Sequence, residues 1–252
     1  MIIGGLQKTT LIDFPGKIAC IVFLAGCNFR CPWCYSAELV LSEKIAKQPR
    51  LSEKEFFEFL EARKGLLDGV VLCGGEPSIN KDLPDFIKKI KKMDFAVKLD
   101  TNGSNPKMLK ELIDVKLIDY VAMDIKTSLK SQITNHKSQK KSVYESLLVD
   151  GVKMADIEKS VEILKTHSAG SGQAGNFDFE FRTTVVNSVH SKEDFLEIAK
   201  WIGGENVKYY LQNFRAEKTI DPEFEKVKPY SDLWLQDIAK EISQYFKECK
   251  AR

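Results

Sequence analysis

Six short apolar segments, each followed by a stretch of helical periodicity, limit the possible folds more than any other feature of this sequence. The six segments are rich in β-branched and aromatic residues and cover Ile18–Leu24, Gly69–Cys73, Phe95–Leu99, Tyr120–Ile125, Phe177–Val186 and Val207–Gln212. Strands that alternate with helices along a chain predict a parallel sheet with the helices packed outside it. A closed barrel of this kind needs eight such units. Six units therefore predict an α/β fold, namely a partial, TIM-like (β/α)6 barrel that is open on one side and forms a single domain.

Capping residues mark the helices between these strands. Residues 52–55 (Ser-Glu-Lys-Glu) form a capping box that starts a helix ending at Gly65. Asn105-Pro106 has the residue types of a cap and first helical position, and residues 191–194 (Ser-Lys-Glu-Asp) cap a further helix. An amphipathic pattern predicts a closing C-terminal helix over about 231–247. We expect one domain to cover residues 1–252.

Two polar segments interrupt the alternation of strands and helices. The first, at about 127–152, is rich in lysine and longer than the usual connection between a strand and a helix. The second contains Gly170-x-Gly172-x-x-Gly175, which is the glycine spacing of a dinucleotide-binding turn. That turn requires a strand before it and a helix after it, whereas here a helix precedes and a strand follows. We therefore interpret the glycine spacing as coincidence.

Composition argues against several classes of protein. The 252 residues include 38 basic and 36 acidic residues, and the resulting net charge of +2 gives no electrostatic footprint for nucleic acid. The longest apolar run, Ile18 to Gly26, is too short to cross a bilayer. The N-terminal residues lack the basic start and long apolar stretch of a signal peptide. We therefore expect a cytoplasmic protein that binds neither membranes nor nucleic acid.

Three of the six cysteines lie close together, in the pattern Cys27-x-x-x-Cys31-x-x-Cys34. Thiols stay reduced in the cytoplasm, so clustered cysteines there indicate metal binding or redox chemistry rather than disulfides. Cys20 and Cys73 lie in predicted strands and have the character of small buried residues, while Cys249 lies in a charged tail. We expect these last three cysteines to be structural or incidental.

The spacing of the clustered cysteines favours an iron–sulfur cluster over a structural zinc site. A structural zinc ion takes four ligands, usually from two separated pairs, and the sequence has no second pair and no nearby histidine. A four-iron cluster is normally held by four cysteines, so three thiolates leave one iron without a protein ligand. An open metal position accepts an external ligand, which is the arrangement of catalytic rather than structural metal sites.

The cysteine motif, with the aromatic Trp33 before its last cysteine, resembles the signature of the radical S-adenosylmethionine (SAM) superfamily. Residues 7–16 (Gln-Lys-Thr-Thr-Leu-Ile-Asp-Phe-Pro-Gly) lead into residues 27–34 (Cys-Asn-Phe-Arg-Cys-Pro-Trp-Cys) and make the likeness more specific. Together they resemble the activating proteins of glycyl radical enzymes, especially those of anaerobic ribonucleoside-triphosphate reductases. Matching motifs recur from about residue 6 to residue 214.

This resemblance implies a set of cofactors and a reaction. Members of the superfamily hold a [4Fe-4S] cluster with three cysteines and bind SAM on the open iron, in some members beside a monovalent cation. One electron from the reduced cluster cleaves SAM to methionine and a 5′-deoxyadenosyl radical. In the activating proteins this radical removes a hydrogen atom from a glycine of the partner enzyme. Because SAM carries the radical, the resemblance assigns no side chain as a catalytic acid or base.

The resemblance also implies roles for the residues that match the family's motifs. Cys27, Cys31 and Cys34 would hold the cluster. The residues expected to contact SAM follow the cysteines or the carboxyl ends of predicted strands, and they are Trp33, Tyr35, Gly74, Gly75, Glu76, Asp100, Thr101, Asp124, Lys126, Arg182 and Gln212. Polar residues at the carboxyl ends of parallel strands face the active-site mouth of a barrel, and this agrees with the assignment.

Three hypotheses of function are open at this point. The first is activation of a glycyl radical enzyme, in particular anaerobic ribonucleotide reductase, with a flavodoxin- or ferredoxin-type protein as reductant. In that case the polar 127–152 segment is a candidate contact for the partner. The second keeps radical SAM chemistry but acts on a small molecule or peptide. The third is a non-enzymatic iron–sulfur protein, and the motifs favour the first hypothesis over the other two.

Overall fold

An eight-stranded sheet is the centre of the computed structural model, which describes residues 1–134, 140–149, 151–169 and 177–252. The strands in these ranges are β1 (Ile3–Thr10), β2 (Ala19–Leu24), β3 (Gly69–Gly74), β4 (Ala96–Thr101), β5 (Tyr120–Asp124), β6 (Gln132–Thr134), β7 (Lys140–Ser142), β8 (Asp178–Val185), β9 (Gly204–Asn213) and β10 (Phe246–Ala251). The main sheet has the order β1-β2-β3-β4-β5-β8-β9-β10, and β6 pairs with β7 in a separate sheet. Neighbours from β2 to β10 in the main sheet are parallel, whereas β1 is antiparallel to β2.

The six predicted strands are confirmed as the parallel centre of this sheet. β1 and β10 occupy its two edges, and within the described ranges these edges do not pair with each other. The sheet is therefore not closed into a barrel. The prediction of one α/β domain built on a partial barrel that is open on one side is confirmed.

The two edge strands were not predicted, and β10 corrects the predicted C-terminal helix. The helix that was expected over about 231–247 ends at Ile242, and residues Phe246–Ala251 form β10 instead. Parallel pairing places Glu248 opposite Lys208 and Ala251 opposite Leu211 of β9. Because these partners lie some forty residues earlier in the chain, a local amphipathic pattern could not reveal them.

Nine helices of the described ranges connect or flank the strands. They are α1 (Ala37–Val40), α2 (Ser42–Ile45), α3 (Glu53–Glu61), α4 (Leu83–Lys91), α5 (Pro106–Asp114), α6 (Val143–Leu147), α7 (Met154–Ala169), α8 (Lys192–Ile202) and α9 (Asp232–Ile242). The predicted capping box before α3 is confirmed: Ser52 Oγ accepts from Glu55 N at 3.2 Å, and Ser52 N donates to Glu55 Oε2 at 2.8 Å. The helix ends at Glu61, one turn before the predicted Gly65. The described part of the chain has no helix whose length and apolar content suit a bilayer crossing.

Side chains of the parallel strands alternate between the helices outside and the interior of the partial barrel. In β4, Val97 and Leu99 pack against the helices in the main core. Lys98 and Asp100, on the other face of the strand, line the interior cavities. Near the amino ends of the strands, Phe14 and Tyr120 fill the interior with a small apolar cluster, their ring centroids 6.1 Å apart. The interior is therefore closed by apolar side chains at the amino ends and polar toward the carboxyl ends.

The two polar segments are described only in part. In the first, the residues that follow β7 fold into α6, and Tyr144 and Leu147 of this helix are buried in the core. The second, with its predicted coincidental spacing Gly170-x-Gly172-x-x-Gly175, lies outside the described residues. Part of the 127–152 segment is therefore buried in the core of the protein.

Candidate functional site

A cavity of about 190 Å³ lies at the carboxyl ends of β3, β4, β5 and β8, next to the cysteine loop. Twelve of the fourteen residues predicted for the site line it, and they are Cys27, Cys31, Trp33, Cys34, Tyr35, Gly74, Gly75, Asp100, Thr101, Asp124, Lys126 and Arg182. The other two, Glu76 and Gln212, lie elsewhere and are described below. The chain therefore brings motifs that are up to 155 residues apart in sequence to one cavity, as Cys27 and Arg182 illustrate.

The cysteine loop (Cys27–Cys34) leaves the carboxyl end of β2 and is shaped by its own backbone. Cys34 N donates to the carbonyl of Cys31 at 3.1 Å, which closes the turn between the last two cysteines. Two backbone N–H groups point at sulfur, Phe29 N at Cys27 Sγ and Ser36 N at Cys34 Sγ, each at 3.4 Å. N–H donors of this kind favour the thiolate over the thiol.

Burial opposes ionisation of the three thiols. It raises the pKa of Cys27 to about 11 and that of Cys31 to about 12, although Lys126 acts in the opposite direction at both. The pKa of Cys34 is raised for the same reason. Thiols that keep their protons in the metal-free protein lose them when a metal binds, because the metal supplies the missing positive charge. In the ranges that the structure describes, no three Cys, His, Asp or Glu side chains are grouped so as to hold a single metal ion.

The Gly74-Gly75 pair lets two loops pack backbone to backbone. A Cβ at Gly75 would lie 1.9 Å from the carbonyl oxygen of Gly26, and Gly74 adopts φ +115°. At this close approach Gly75 N donates to the Leu24 carbonyl and Glu76 N to the Gly26 carbonyl, both at 2.8 Å. The family resemblance placed these glycines in contact with SAM. The structure gives a further reason for glycine at these positions, because a side chain here would collide with the backbone of Leu24 and Gly26, just before the cysteine loop.

Glu76 lies behind the cavity and connects two of the predicted motifs. Its carboxylate Oε1 accepts from Ser78 N at 3.1 Å, from Ser78 Oγ at 2.5 Å and from Thr101 Oγ1 at 2.7 Å. Its Oε2 accepts from Asn102 N at 2.6 Å. Burial raises the pKa of this carboxyl against these four donors. Glu76 thus fixes the loop after β3 to the end of β4, and within the structure its oxygens are already occupied.

Five charged side chains of alternating sign run across the inner face of the sheet as one ladder of ion pairs, in the order Lys98, Asp100, Arg182, Asp124 and Lys126. Lys98 Nζ lies 2.5 Å from Asp100, whose other oxygen lies 3.0 Å from Arg182 Nη1. Arg182 Nε lies 2.9 Å from Asp124, and Lys126 Nζ contacts the same carboxylate at 3.0 Å. Three cations and two anions leave one positive charge on this charge ladder.

The charge ladder keeps its carboxylates ionised despite their burial. Burial alone would raise the pKa of Asp124, but the charges of Arg182 and then Lys126 outweigh it and lower that pKa to about 2. Asp100 follows the same pattern, since Arg182 and Lys98 overcome burial and lower its pKa. Asp124 in turn raises the pKa of Lys126 against the effect of burial. Asp100, Asp124 and Lys126 are therefore charged at neutral pH.

The two predicted aromatic residues face different surroundings. Trp33 is buried, with its ring centroid 6.4 Å from that of His190 and 5.9 Å from that of Phe224. Tyr35 is 39% exposed, stacks on Phe214 at 5.9 Å, and its hydroxyl accepts from Arg215 N at 2.6 Å. Trp33 is thus largely a core residue, whereas the Tyr35 ring lies at the cavity entrance.

A second, larger cavity of about 820 Å³ occupies the open side of the partial barrel. Its walls come from both edges of the sheet, with Ile12 in the turn after β1 and Arg252 after β10. Gln212 lines this cavity rather than the first one. Tyr35, Arg182 and Thr184 line both cavities, so the two spaces are neighbours. We call this space the lateral cavity.

Sequence reasoning missed several residues of the site. Lys98 is 1% exposed and begins the charge ladder, and Cys73 and Asn102 line the first cavity. Asn102 Nδ2 also donates to Asn28 Oδ1 at 3.0 Å, which joins the end of β4 to the cysteine loop. Lys98 carried a usable signal, because a charged residue between the apolar Val97 and Leu99 of a central strand must face the barrel interior.

Comparisons with known proteins agree with this geometry. The model of the radical SAM superfamily matches residues 21–165. A protein of Methanocaldococcus jannaschii with the provisional name glycyl-radical enzyme activating enzyme is 31% identical over 249 residues, which cover 97% of this chain and 92% of the relative. This chain belongs to the radical SAM superfamily. A second protein of that organism with the same provisional name is 24% identical over 94% of this chain and 86% of its own length.

Solved structures of radical SAM enzymes share the fold. SuiB of Streptococcus suis superimposes with a TM-score of 0.61 at 15% identity over 92% of this chain, which spans about half (48%) of the SuiB chain. QueE from Escherichia coli superimposes with a TM-score of 0.53 at 15% identity, over 100% of this chain and 93% of its own. At such low identity the likeness concerns the fold alone, and it is that of a radical SAM enzyme with a partial barrel.

Membership of the radical SAM superfamily implies a [4Fe-4S] cluster and SAM, and the residues present fit both groups. Three thiols on one loop border the cavity, and backbone N–H groups already point at two of the sulfurs. Lys126 and Arg182, which line the same cavity, suit the carboxylate of an amino acid. The chain is therefore a radical SAM enzyme, and its cysteine loop, its glycine pair and four of the five members of its charge ladder line one cavity.

Proposed function

We propose that this radical SAM enzyme activates a glycyl radical enzyme by removing a hydrogen atom from a glycine Cα of that partner. The observation that carries the proposal is the lateral cavity, which opens the barrel interior to solvent directly beside the cofactor residues. A space of about 820 Å³ on the open side can admit a glycine-bearing loop of another protein. The provisional names of the two Methanocaldococcus jannaschii relatives support the same partner class.

In this proposal each predicted site residue has a role toward a cofactor. Cys27, Cys31 and Cys34 hold the cluster, and backbone groups near Gly74 and Gly75 receive the methionine amino group. The methionine carboxylate lies against the cationic members of the charge ladder. Residues that line one of the two cavities contact the remainder of SAM or the substrate, and they are Trp33, Tyr35, Thr101 and Gln212. Glu76 acts by holding the two loops that frame this site.

The chain's own residues contribute position and charge to the reaction. When bound, the reduced cluster supplies one electron that cleaves SAM to methionine and a 5′-deoxyadenosyl radical, which becomes 5′-deoxyadenosine by taking the glycine hydrogen. Arg182, shared by both cavities, lies between the SAM site and the place where the glycine would enter. The apolar cluster of Phe14 and Tyr120 closes the amino-terminal end of the interior, which limits access of other hydrogen donors.

The finer assignments follow the same reasoning. The partner that we propose is an anaerobic ribonucleoside-triphosphate reductase in the cytoplasm, with a flavodoxin- or ferredoxin-type protein as electron donor. This partner matches the resemblance of residues 7–34 to the activating proteins of such reductases. A monovalent cation could be held by the two carboxylates of the charge ladder, Asp100 and Asp124, with the SAM carboxylate as a further ligand.

The test is the appearance of a glycyl radical. Anaerobically reconstituted protein, dithionite and SAM are mixed with the candidate reductase, and the electron paramagnetic resonance spectrum is recorded. A doublet from the glycyl radical is expected, together with one 5′-deoxyadenosine per radical formed. Cys31→Ala removes both products, whereas the matched control Cys249→Ala, a half-buried cysteine in β10, retains them. Formation of 5′-deoxyadenosine without a doublet for any glycyl radical enzyme of the same organism would contradict the proposal.

One observation favours a second candidate, a radical SAM reaction on an anionic small molecule. The lateral cavity is lined by five cationic side chains but only three acidic ones. A nucleotide dehydratase of Lacinutrix mariniflava is also 28% identical over 77% of this chain, which spans 38% of that protein. In the same assay, 5′-deoxyadenosine that increases on addition of a nucleotide rather than of a glycyl radical enzyme would support this candidate.

A further inference from the structure

The segment Val143–Val149, which includes α6, contacts two separate parts of the cofactor site. It belongs to the polar 127–152 region, for which sequence reasoning suggested a contact with a partner protein. Tyr144 is 0% and Leu147 1% exposed, and the Tyr144 ring lies 6.4 Å from that of Trp201 in α8. The segment is therefore anchored in the core of the protein rather than presented on its surface.

The first contact is with the cysteine loop. Arg30 N donates to the carbonyl of Leu147 at 2.8 Å, and Val149 N donates to the carbonyl of Asn28 at 3.2 Å. Between these two bonds, Phe29 and Leu148 form an antiparallel bridge. All three loop residues lie between Cys27 and Cys31. The pairing thus holds in extended form the stretch of backbone that sets the distance between the first two thiols.

The second contact is with the backbone of Lys126, the last member of the charge ladder. Lys126 N donates to the Tyr144 hydroxyl oxygen at 3.0 Å. On its other side the Lys126 carbonyl lies 2.8 Å from His190 Nε2. Because His190 Nδ1 accepts from Val186 N at 2.9 Å, the ring proton resides on Nε2, which donates to that carbonyl. The backbone N–H and the backbone carbonyl of Lys126 are therefore both hydrogen-bonded, which restricts movement of this residue.

We infer that Val143–Val149 is a brace that fixes the cysteine loop and Lys126 relative to each other before any cofactor binds. One turn of helix separates Tyr144, which holds Lys126, from Leu147, which holds the cysteine loop, so the two contacts move as one unit. Tyr144 is a positioning residue in this role, because it acts through Lys126. The inference concerns the cofactor site of a radical SAM enzyme and does not depend on which substrate the radical attacks.

The first test uses metal-free protein and measures the alkylation rate of each cysteine by mass spectrometry with iodoacetamide. Val149→Pro removes the N–H that bonds to Asn28. One lost hydrogen bond is worth about a factor of five in local opening, so Cys27 and Cys31 should react about fivefold faster. The matched control Glu145→Ala, an exposed position of the same helix, should stay within twofold of the wild type.

The buried Cys20 distinguishes local release from general unfolding, since it is 0% exposed and lies within β2 rather than in the cysteine loop. Its rate should not change in Val149→Pro. Rates for Cys27 and Cys31 within twofold of the wild type would overturn the inference. A rise that includes Cys20 to the same degree would also overturn it, because the segment would then support the whole fold rather than the cysteine loop.

The second test uses Tyr144→Phe, which removes one oxygen and keeps the ring. In reconstituted protein the dissociation constant for SAM should rise about fivefold while the iron content stays at the wild-type level, because Lys126 loses its fixed position and the cysteines keep theirs. In the double variant with Val149→Pro, the fold increase in the SAM dissociation constant should be smaller than the product of the increases in the two single variants. Both substitutions act on one structural unit, so their effects are not independent. An unchanged SAM affinity, or effects that simply multiply, would overturn the inference.

Discussion

Gly75→Ala should destabilise the protein through a collision between backbones. The new Cβ would lie 1.9 Å from the Gly26 carbonyl oxygen and 2.6 Å from its carbon. Reaching an acceptable 3.0 Å requires a displacement of about 1.1 Å in one of the two loops. Backbone atoms cannot rotate away as a side chain can, so the loops themselves must separate.

The cost of this separation can be worked from the bonds that it breaks. The hydrogen bonds from Gly75 N to Leu24 O and from Glu76 N to Gly26 O, both 2.8 Å long, are lost or stretched. At about 1 kcal/mol each they account for about 2 kcal/mol, and the forced shift adds about 1–3 kcal/mol. The smaller conformational freedom of alanine in the unfolded chain returns about 0.4–1 kcal/mol. The free energy of unfolding should therefore fall by about 2–5 kcal/mol.

Urea unfolding of metal-free protein, followed by circular dichroism, measures this change. Gly5→Ala is the matched control, because a Cβ there meets nothing nearer than the Phe23 ring at 3.6 Å. The control should stay within about 0.5 kcal/mol of the wild type. Gly75→Ala should also take up less iron on reconstitution, since the displaced Gly26 directly precedes the cysteine loop. A loss of stability below 1 kcal/mol would show that the two loops are not packed as described.

Three further predictions concern the charge ladder and Glu76. Lys98→Met should lower the free energy of unfolding by about 2 kcal/mol. This is less than the roughly 3–5 kcal/mol lost when a buried ion pair is broken, because Asp100 keeps Arg182 as a partner. An unchanged urea midpoint would contradict this prediction. The pKa of Asp124 is lowered to about 2, so its stabilising contribution is complete above about pH 4 and is lost as the pH falls toward 2. The side chain is 31% exposed, so we expect about 1–2 kcal/mol, seen as a steeper acid loss of stability in the wild type than in Asp124→Asn; parallel pH profiles would refute the assignment. Glu76→Gln replaces one acceptor oxygen by an amide nitrogen and should cost about 2–3 kcal/mol in urea unfolding, and a cost near zero would mean that the four donors find other partners.

The parallel centre of the fold, and the meeting of most of the predicted site residues at one cavity, could be predicted from the sequence. Strand and helix signals are local, since they depend on side-chain periodicity and capping residues such as Ser52 and Glu55. The rule that polar residues after parallel strands share one mouth then brings Asp100, Asp124 and Arg182 together without further information. The charge ladder is the physical outcome of that rule.

The parts that could not be predicted depend on contacts between distant segments. β10 is a strand because its backbone meets β9, and its own sequence, with three charged or polar residues in six, does not indicate this. Glu76 has a motif position typical of a ligand contact, yet its carboxylate is bound by Thr101 and Asn102. A sequence reading places such a residue near the site but cannot tell whether its oxygens face the ligand or the protein.

The order of charges in the ladder gives the cavity a direction. Both ends of the row are cations, but Lys98 at one end is buried, with 2% of its side chain exposed, while Lys126 at the other end is 17% exposed. Within the ladder, the more accessible terminal charge is therefore that of Lys126. A zwitterionic ligand in this cavity would place its negative group toward that end. The order of charges would then favour one orientation of such a ligand over the reverse one.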